Sequence, residues 1–211
     1  MVDQEPWGSL ASPEESVYGE VFREIGAAMG LHIDYTVAPL ARTLDNVRTG
    51  ICQFTITSWQ PARAAKLTLG ATLIALDYGI LPRQGFSPAA EADLRGHDIA
   101  VARGLLLGSD FDEDAAIGKI GVYGYEPAVL MVASGRADGA AGSIVTLRRL
   151  IRRNGMEAKF ARPLVLSKVK LAVQKNDSFA VMPAGWALDE AVTRLRESGR
   201  AAEIVARHLE K

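Results

Sequence analysis

Apolar residues near the amino end of the chain recur every four positions, which is typical of one face of an α-helix. These positions are Val17, Val21, Ile25 and Met29. Ser12 precedes them as a possible helix N-cap, with Pro13 at the first helical position. Gly30 follows the last of them and suits a helix end. The pattern predicts a helix that begins after Ser12 and ends at Gly30.

A period of two then replaces the period of four. In "LHIDYTV", residues 31–37, the apolar side chains of Leu31, Ile33, Tyr35 and Val37 alternate with polar ones. This alternation predicts a β-strand with one covered face. A second helix is predicted from Pro39 to Gly50, and a short buried strand over "ICQFTIT", residues 51–57.

The rest of the chain continues the alternation of strand and helix. Strands are predicted at "HDIAVA", "KIGVY" and "KLAVQ", and helices at "EPAVLMVASG" and at "SIVTLRRLIRRNG", where Ser143 is the N-cap. "ADGAAG" is a segment of small, tightly packed residues, and the carboxyl end is a helical pair broken near Gly199. Alternating elements of this kind predict an α/β fold with a mixed, mostly parallel sheet flanked by helices.

Two long segments look like crossings between lobes, "LIALDYGILPRQGFSP" and "RPLVLSKVKLAVQKND". They predict a discontinuous first lobe of residues 1–81 and 172–211 and an inserted second lobe of residues 82–171. A ligand in such an architecture is expected between the lobes, at strand ends and helix N-termini.

Charge and length exclude several classes of protein. The 211 residues carry 24 basic and 25 acidic side chains, a net charge of −1, which gives no reason to expect nucleic acid or an anionic membrane as partner. No apolar run approaches the roughly 18 residues of a membrane-spanning helix. The first ten residues, "MVDQEPWGSL", do not form a signal peptide.

Local motifs for catalysis or metal binding are missing from the sequence. "DFDED" begins like a calcium loop, but Ala115 and Gly121 occupy the positions that need glycine and glutamate. The three histidines have no metal-site spacing, and no nucleophile elbow, P-loop or dinucleotide fingerprint occurs. The single Cys52 is interpreted as a buried small residue. We therefore predict no catalytic residue, no metal and no cofactor.

Arginines are concentrated in "RRLIRR", residues 148–153. At helical spacing they spread over one side of a helix, and no aromatic residue is interleaved with them. A solvated helix face is therefore the favoured interpretation, and nucleic-acid binding is not expected.

Polar residues follow the strand "ICQFTI", namely Thr57, Ser58, Trp59, Gln60 and Arg63. If that strand is part of a parallel sheet, its carboxyl end opens onto the ligand crevice. An arginine there can bind a carboxylate through two parallel hydrogen bonds, and a tryptophan can wall the pocket. The alternative is that Trp59 packs in the protein and Arg63 is solvated.

Six segments, in order and spacing, resemble the type II periplasmic solute-binding proteins of the polar amino acid ABC transporter family. They are "YGEVFREIGAAMGLHIDYTVAP", "PLARTLDNVRTGICQFTI", "PARAAKLTLGATLIALDYGIL", "DLRGHDIAVARG", "VASGRADGAAGS" and "LAVQKNDS" with the closing helices. The resemblance covers nearly the whole chain. It implies two α/β lobes joined by two crossover strands, with a hinge that closes over the ligand.

The resemblance also implies roles for particular residues. The carboxylate-binding arginine of the family falls on Arg63, and its hydroxyl-rich strand end falls on Thr57 and Ser58, followed by Trp59 and Gln60. The loop of the second lobe that offers backbone N–H groups falls on Arg103, Gly104 and Leu105. Ser143 and Trp7 complete the set of candidate ligand-binding residues.

Ser143 stands where amino-acid binders carry an acid for the ligand's ammonium group. A buried ammonium without a counter-charge is costly, so a carboxylate without an amino group, or another small polar molecule, is an open alternative to an amino acid. Ser143 could equally be a plain helix N-cap.

The resemblance implies an extracytoplasmic solute-binding protein, not an enzyme. It would be monomeric and periplasmic, its signal peptide removed, and would deliver a small polar solute to the membrane subunits of an ABC importer. Two alternatives use the same fold: an enzyme like cyclohexadienyl dehydratase, or a ligand-sensing module.

Overall fold

The computed structural model describes residues 1–61 and 65–210, with Glu210 described by its backbone only. The chain forms two compact units. The first consists of Met1–Ala75 and Lys170–Lys211, and the second of Leu76–Val169. The lobe boundaries at 81/82 and 171/172 stay a prediction.

The fold is α/β, as the sequence predicts, with six strands in the described residues. They are β1 (Phe54–Ser58), β2 (Leu67–Pro82), β3 (Asp98–Ala102), β4 (Gly118–Val122), β5 (Gly139–Ser143) and β6 (Leu164–Asn176). The hydrogen-bonded order is β1-β6-β2-β5-β3-β4. The sheet is mixed: β3 is parallel to both β4 and β5, whereas β1 pairs with β6 and β2 with β5 in antiparallel register.

Helices follow or flank these strands in both units. They are α1 (Val17–Met29), α2 (Leu40–Arg48), α3 (Tyr125–Ala133), α4 (Ile144–Arg153), α5 (Asp177–Ala180), α6 (Pro183–Glu197) and α7 (Arg200–Glu210). The last two are the predicted carboxyl-terminal pair, and Gly199 between them has a φ of 80°.

The predicted N-cap of the first helix is wrong by one turn. Ser12 precedes a short 3-10 turn, Pro13–Glu15, and its side chain makes no capping bond. The cap is Ser16, whose hydroxyl accepts a hydrogen bond from the backbone N–H of Gly19 at 3.1 Å. Gly30 ends the helix in the left-handed conformation, as predicted. The apolar face of α1 is buried and packs against α6 and α7.

The predicted strand over residues 31–37 is absent from the structure. Ile33, Tyr35 and Val37 are half-buried, as the alternation predicts, but Leu31 is exposed. The described residues around this segment provide no β-ladder, and pairing is confined to an isolated bridge between Ala38 and Val2. Alternation therefore predicted which side chains are covered, but it could not supply the neighbouring strand.

The carboxylate of Glu20 links α1 to α7 in the first unit. Its Oε2 lies 3.0 Å from Nε2 of His208, and its Oε1 lies 3.4 Å from a guanidinium nitrogen of Arg200 and also accepts from Arg207. Burial raises the pKa of Glu20, but hydrogen bonds from His208 and Arg207 outweigh it, so the pKa lies below its usual value. The ionised form therefore stabilises the fold.

The Glu20→Gln variant should lose about 2 kcal/mol of unfolding free energy at pH 7, because it removes charge-assisted hydrogen bonds from a nearly buried site. A lowered pKa means that this stabilisation is complete above the ordinary value of 4.5 and is lost as pH falls further. The gap in unfolding free energy between wild type and variant, measured by urea unfolding, should therefore shrink towards pH 3. Glu190→Gln, at an exposed ion pair with Arg194, is the control and should change stability little. A gap that persists at pH 3 would contradict the assignment.

The second unit is built around β5, a segment of small, tightly packed residues that the sequence pattern does not identify as a strand. All five residues of β5 are buried between β2 and β3. A Cβ on Gly142 would lie 2.7 Å from the ring of Tyr125, and one on Gly139 would lie 2.6 Å from Ile80. Glycine is required at both positions because neighbouring side chains fill the space. Around this strand the core of the unit joins Leu81, Ala100, Val129, Ala140 and Leu147.

Candidate functional site

The first predicted polar group lies at the carboxyl end of β1. Thr57 and Ser58 are the last two residues of the strand and are buried, Trp59 is half-buried, and Gln60 is buried. The backbone N–H of Trp59 donates to the carbonyl of Lys170 at 2.9 Å. The four residues therefore form one contiguous and largely buried stretch of the first unit.

The expectation that this strand lies in a parallel arrangement is wrong. β1 is at one edge of the sheet, and its sole ladder partner among the described strands, β6, runs antiparallel to it. The parallel-sheet rule for ligand crevices consequently does not apply to the end of β1. The ligand role of Thr57, Ser58, Trp59 and Gln60 stays a prediction that rests on their polarity and position.

Gln174 supports this strand end, although it is not among the residues predicted from the sequence. Its side-chain amide donates to the carbonyl oxygens of Thr57 at 3.3 Å and Ser58 at 3.2 Å, and the residue is buried. A buried amide with two such bonds fixes the course of the backbone at the strand end. A polar glutamine inside the otherwise apolar run "LAVQ" was the available signal.

Trp7 and Arg63 are the remaining predicted site residues of the first unit. Trp7 is buried, and its ring centroid lies 5.9 Å from that of Tyr18, so its indole packs in the core of the unit. Arg63, the predicted carboxylate anchor, lies outside the described residues.

In the second unit, strand register brings three predicted residues to one edge. β3 and β5 are parallel, with Val101 opposite Ala141, so Arg103 and Ser143 each lie two residues further along their chains. Gly104 follows Arg103 with a φ of 80°. The carboxyl ends of adjacent parallel strands are where α/β sheets bind ligands. We call Arg103–Leu105 and Tyr123–Tyr125, which follow β3 and β4, together with Ser143, the last residue of β5, the carboxyl edge.

Tyr123 orients Arg103 at the carboxyl edge. The guanidinium of Arg103 donates to the phenol oxygen of Tyr123 at 2.8 Å, and its central carbon lies 4.3 Å from the ring centroid. Both residues are exposed. The contact restricts the arginine while leaving donors available to an anion. Tyr123 was missed, although it ends the predicted strand "KIGVY".

Ser143 belongs to a buried group of hydroxyls at the start of α4. It occupies the N-cap position, as predicted, but its side chain makes no capping bond. Instead its Oγ accepts from the hydroxyl of Thr146 at 3.1 Å, and its backbone N–H donates to the phenol oxygen of Tyr125 at 3.2 Å. All three residues are buried. These are neutral groups, suited to hydrogen bonding and not to balancing a cation.

The charge of the carboxyl edge is positive. Its residues, all within the fully described second unit, include Arg103 as a cation and no carboxylate. The nearest acid in sequence, Glu126, lies 3.6 Å from Arg153 and is engaged there. The edge therefore favours an anionic or neutral polar group over an ammonium.

A second polar cluster, centred on Asp138, lies at the amino ends of β3 and β5 and has a structural role. Asp138 accepts from Nε of Arg83 at 2.8 Å and from the backbone N–H of Asp98 at 3.1 Å, and it lies 3.1 Å from Nδ1 of His97. Burial raises the pKa of Asp138, but these bonds outweigh it and hold the pKa below its usual value. An acid with three partners ties the strands together.

Residues 1–61 and 65–210 lack two features, a cluster of metal-ligating side chains and a membrane-spanning helix. No group of three or more His, Cys, Asp or Glu side chains in these ranges could hold a metal ion. Over the same ranges, no helix has both the length and the apolar character needed to cross a bilayer.

No protein-family model matches the sequence, and a comparison with curated proteins gives no match. Solved structures do match. The GluR0 ligand-binding core from Nostoc punctiforme, in complex with L-glutamate, is 15% identical with a TM-score of 0.83, over 100% of this chain and 97% of that one. A histidine kinase sensor domain with similarity to periplasmic binding proteins is 19% identical with a TM-score of 0.82, over 99% and 95%. The arginine-, lysine-, histidine-binding protein ArtJ from Geobacillus stearothermophilus is 15% identical with a TM-score of 0.77, over 99% and 92%.

The chain therefore has the fold of type II periplasmic binding proteins. The resemblance inferred from six sequence segments is confirmed at the level of the fold. The similar structures include both binding proteins and a sensor domain.

Proposed function

We propose that the protein is an extracytoplasmic module that binds a small polar solute bearing a carboxylate and delivers it to an ABC importer. The observation that carries the proposal is the carboxyl edge, where Arg103, Gly104 and Ser143 meet at the ends of adjacent parallel strands. The binding-protein fold supports it. Arg63, with Thr57, Ser58, Trp59 and Gln60, is proposed as the contribution of the first unit.

The solute class follows from the charge of the carboxyl edge. An arginine and neutral hydroxyls can satisfy a carboxylate, but the ammonium of an amino acid would find no counter-charge there. We therefore propose that a carboxylate without an α-amino group is preferred. Matched pairs, lactate with alanine and succinate with aspartate, differ in that single group and test the class directly.

Solute binding should raise the melting temperature, because a ligand that binds only the folded state stabilises it by mass action. We expect a larger shift with lactate or succinate than with its amino counterpart. Arg103→Ala should weaken binding of the preferred solute about tenfold through loss of a charge-assisted bond. Arg42→Ala, at an exposed arginine of α2, is the control. The proposal fails if no carboxylate in the panel raises the melting temperature, or if both variants weaken binding equally.

A sensing role is the second candidate, because a histidine kinase sensor domain shares the fold. Both roles predict solute binding, so the distinguishing measurement is made in cells. Loss of labelled solute uptake on deletion of the gene supports import. Unchanged uptake, together with a lost transcriptional response to the solute, supports sensing. We propose no enzymatic activity, so prephenate and arogenate should remain unchanged on incubation with the protein.

A further inference from the structure

A groove on the second unit is lined by none of the residues proposed for solute binding. Its volume is about 510 Å³, and its lining includes Gln84, Ser87, Arg148, Glu157, Phe160 and Arg162. We call it the Arg148–Arg162 groove. Arg148 lies five residues beyond Ser143 on α4, roughly 7.5 Å along the helix axis.

The walls of the groove are held by backbone hydrogen bonds. The N–H of Gln84 donates to the carbonyl of Lys159 at 2.7 Å, and the N–H of Ala161 donates to the carbonyl of Pro82 at 2.9 Å. Phe160 and Ile151 are buried beneath the groove. The concave surface is therefore fixed by the fold and is not a gap between loose loops.

Two free cations face this groove. Arg148 and Arg162 are both exposed, and in the described part of the chain neither guanidinium has a hydrogen bond or an ion pair. By contrast, Arg153 on the same helix lies 3.6 Å from Glu126. Glu157 is the single acid in the lining, so the groove carries a net charge of +1 from two arginines and one glutamate. The charge favours an acidic occupant.

We propose that the Arg148–Arg162 groove docks an extended acidic segment of a partner protein. A free small anion would remain largely in water against two exposed arginines, where exposed ion pairs contribute little. A segment of a larger partner gains both of these contacts at once and adds steering of the encounter. Nucleic acid is disfavoured, because Phe160 is buried and unable to stack on bases. This inference goes beyond the proposed solute-binding function.

The test uses the full chain and an N-acetylated, fluorescein-labelled hexaglutamate peptide, with anisotropy as the measurement. Binding is expected at 50 mM NaCl and should weaken strongly at 500 mM. The double variant Arg148→Glu/Arg162→Glu should bind the peptide at least about tenfold more weakly. Arg42→Glu, which reverses an exposed charge elsewhere, should bind as wild type does.

Three results would overturn the proposal: no binding of hexaglutamate by the wild type, equal loss in Arg42→Glu, or displacement by free glutamate as effective as by unlabelled hexaglutamate. The last would indicate a small-anion site. The double variant should keep the wild-type melting temperature and its solute-induced shift, so failure of docking and failure of solute binding are measured separately. Arg148→Lys/Arg162→Lys should retain most of the peptide affinity, because the interaction is one of charge.

Discussion

Replacing Asp189 with alanine is expected to lower the free energy of unfolding by about 3–5 kcal/mol, because it leaves the charge of Lys175 buried and unpaired. The side chain of Lys175 is 3% exposed, and its ammonium contacts Oδ2 of Asp189 and lies 3.3 Å from the carbonyl of Gly185. The other carboxylate oxygen, Oδ1, accepts from the backbone N–H of Ala71 at 2.8 Å. One carboxylate thus joins β2, β6 and α6 in the first unit.

Guanidinium unfolding followed by fluorescence and circular dichroism measures the effect. Asp189→Asn keeps the shape and one acceptor but loses the charge. Its free energy of unfolding should therefore lie between those of the wild type and Asp189→Ala. The double variant Lys175→Met/Asp189→Leu removes both charges and should recover much of the loss, since an apolar pair avoids desolvation. A cost below about 1 kcal/mol for Asp189→Ala would show that water reaches Lys175 and that the pair is not structurally important.

Periodicity predicted those elements whose covered side chains follow a regular spacing. α1 has its apolar face at Val17, Val21 and Ile25, and these side chains are buried as the period requires. Its start was misplaced because Ser12 and Ser16 are both plausible caps, and only the structure shows that Ser16 bonds to Gly19. Helix ends depend on single hydrogen bonds, which a sequence with two candidate serines leaves open.

The central strand β5 was missed for a physical reason. Its residues, Gly139–Ser143, have low intrinsic strand propensity, and they are small because Tyr125 and Ile80 occupy the adjoining space. Strand formation here is imposed by the neighbours β2 and β3. The segment 31–37 shows the converse, with strand-like alternation but no ladder partner in the described chain.

The sequence predicts those residues of the candidate site that lie at the ends of strands. Arg103 and Ser143 were selected from sequence, and their closeness follows once β3 and β5 are known to be parallel. The sequence does not predict the roles of Tyr123, Tyr125 and Gln174, because these roles depend on strand register and on contacts between elements. Spacing along a chain carries information about one element, whereas these three residues act between elements.

Substitution of Arg63, the carboxylate anchor proposed for the first unit, has the largest expected effect on solute binding. Arg63→Ala should weaken binding of the preferred carboxylate about 100-fold, because truncating one partner of a desolvated, charge-assisted pair costs about 2–5 kcal/mol. Arg63→Lys retains the charge but loses the two-pronged geometry that matches a carboxylate, so its loss should be smaller, about tenfold. Isothermal titration with the carboxylate that gives the largest thermal shift measures both.

Variants at the carboxyl end of β1 distinguish the contribution of Arg63 from that of the neighbouring residues. Ser58→Ala removes one neutral hydroxyl and should cost about tenfold or less, because a neutral hydrogen bond contributes about 1 kcal/mol. Gln174→Leu leaves the carbonyls of Thr57 and Ser58 without their buried donor. We expect that variant to lose both stability and affinity, whereas Arg63→Ala should lose affinity alone. Equal affinities for wild type and Arg63→Ala would remove Arg63 from the site and leave Arg103 as the remaining candidate for the anion.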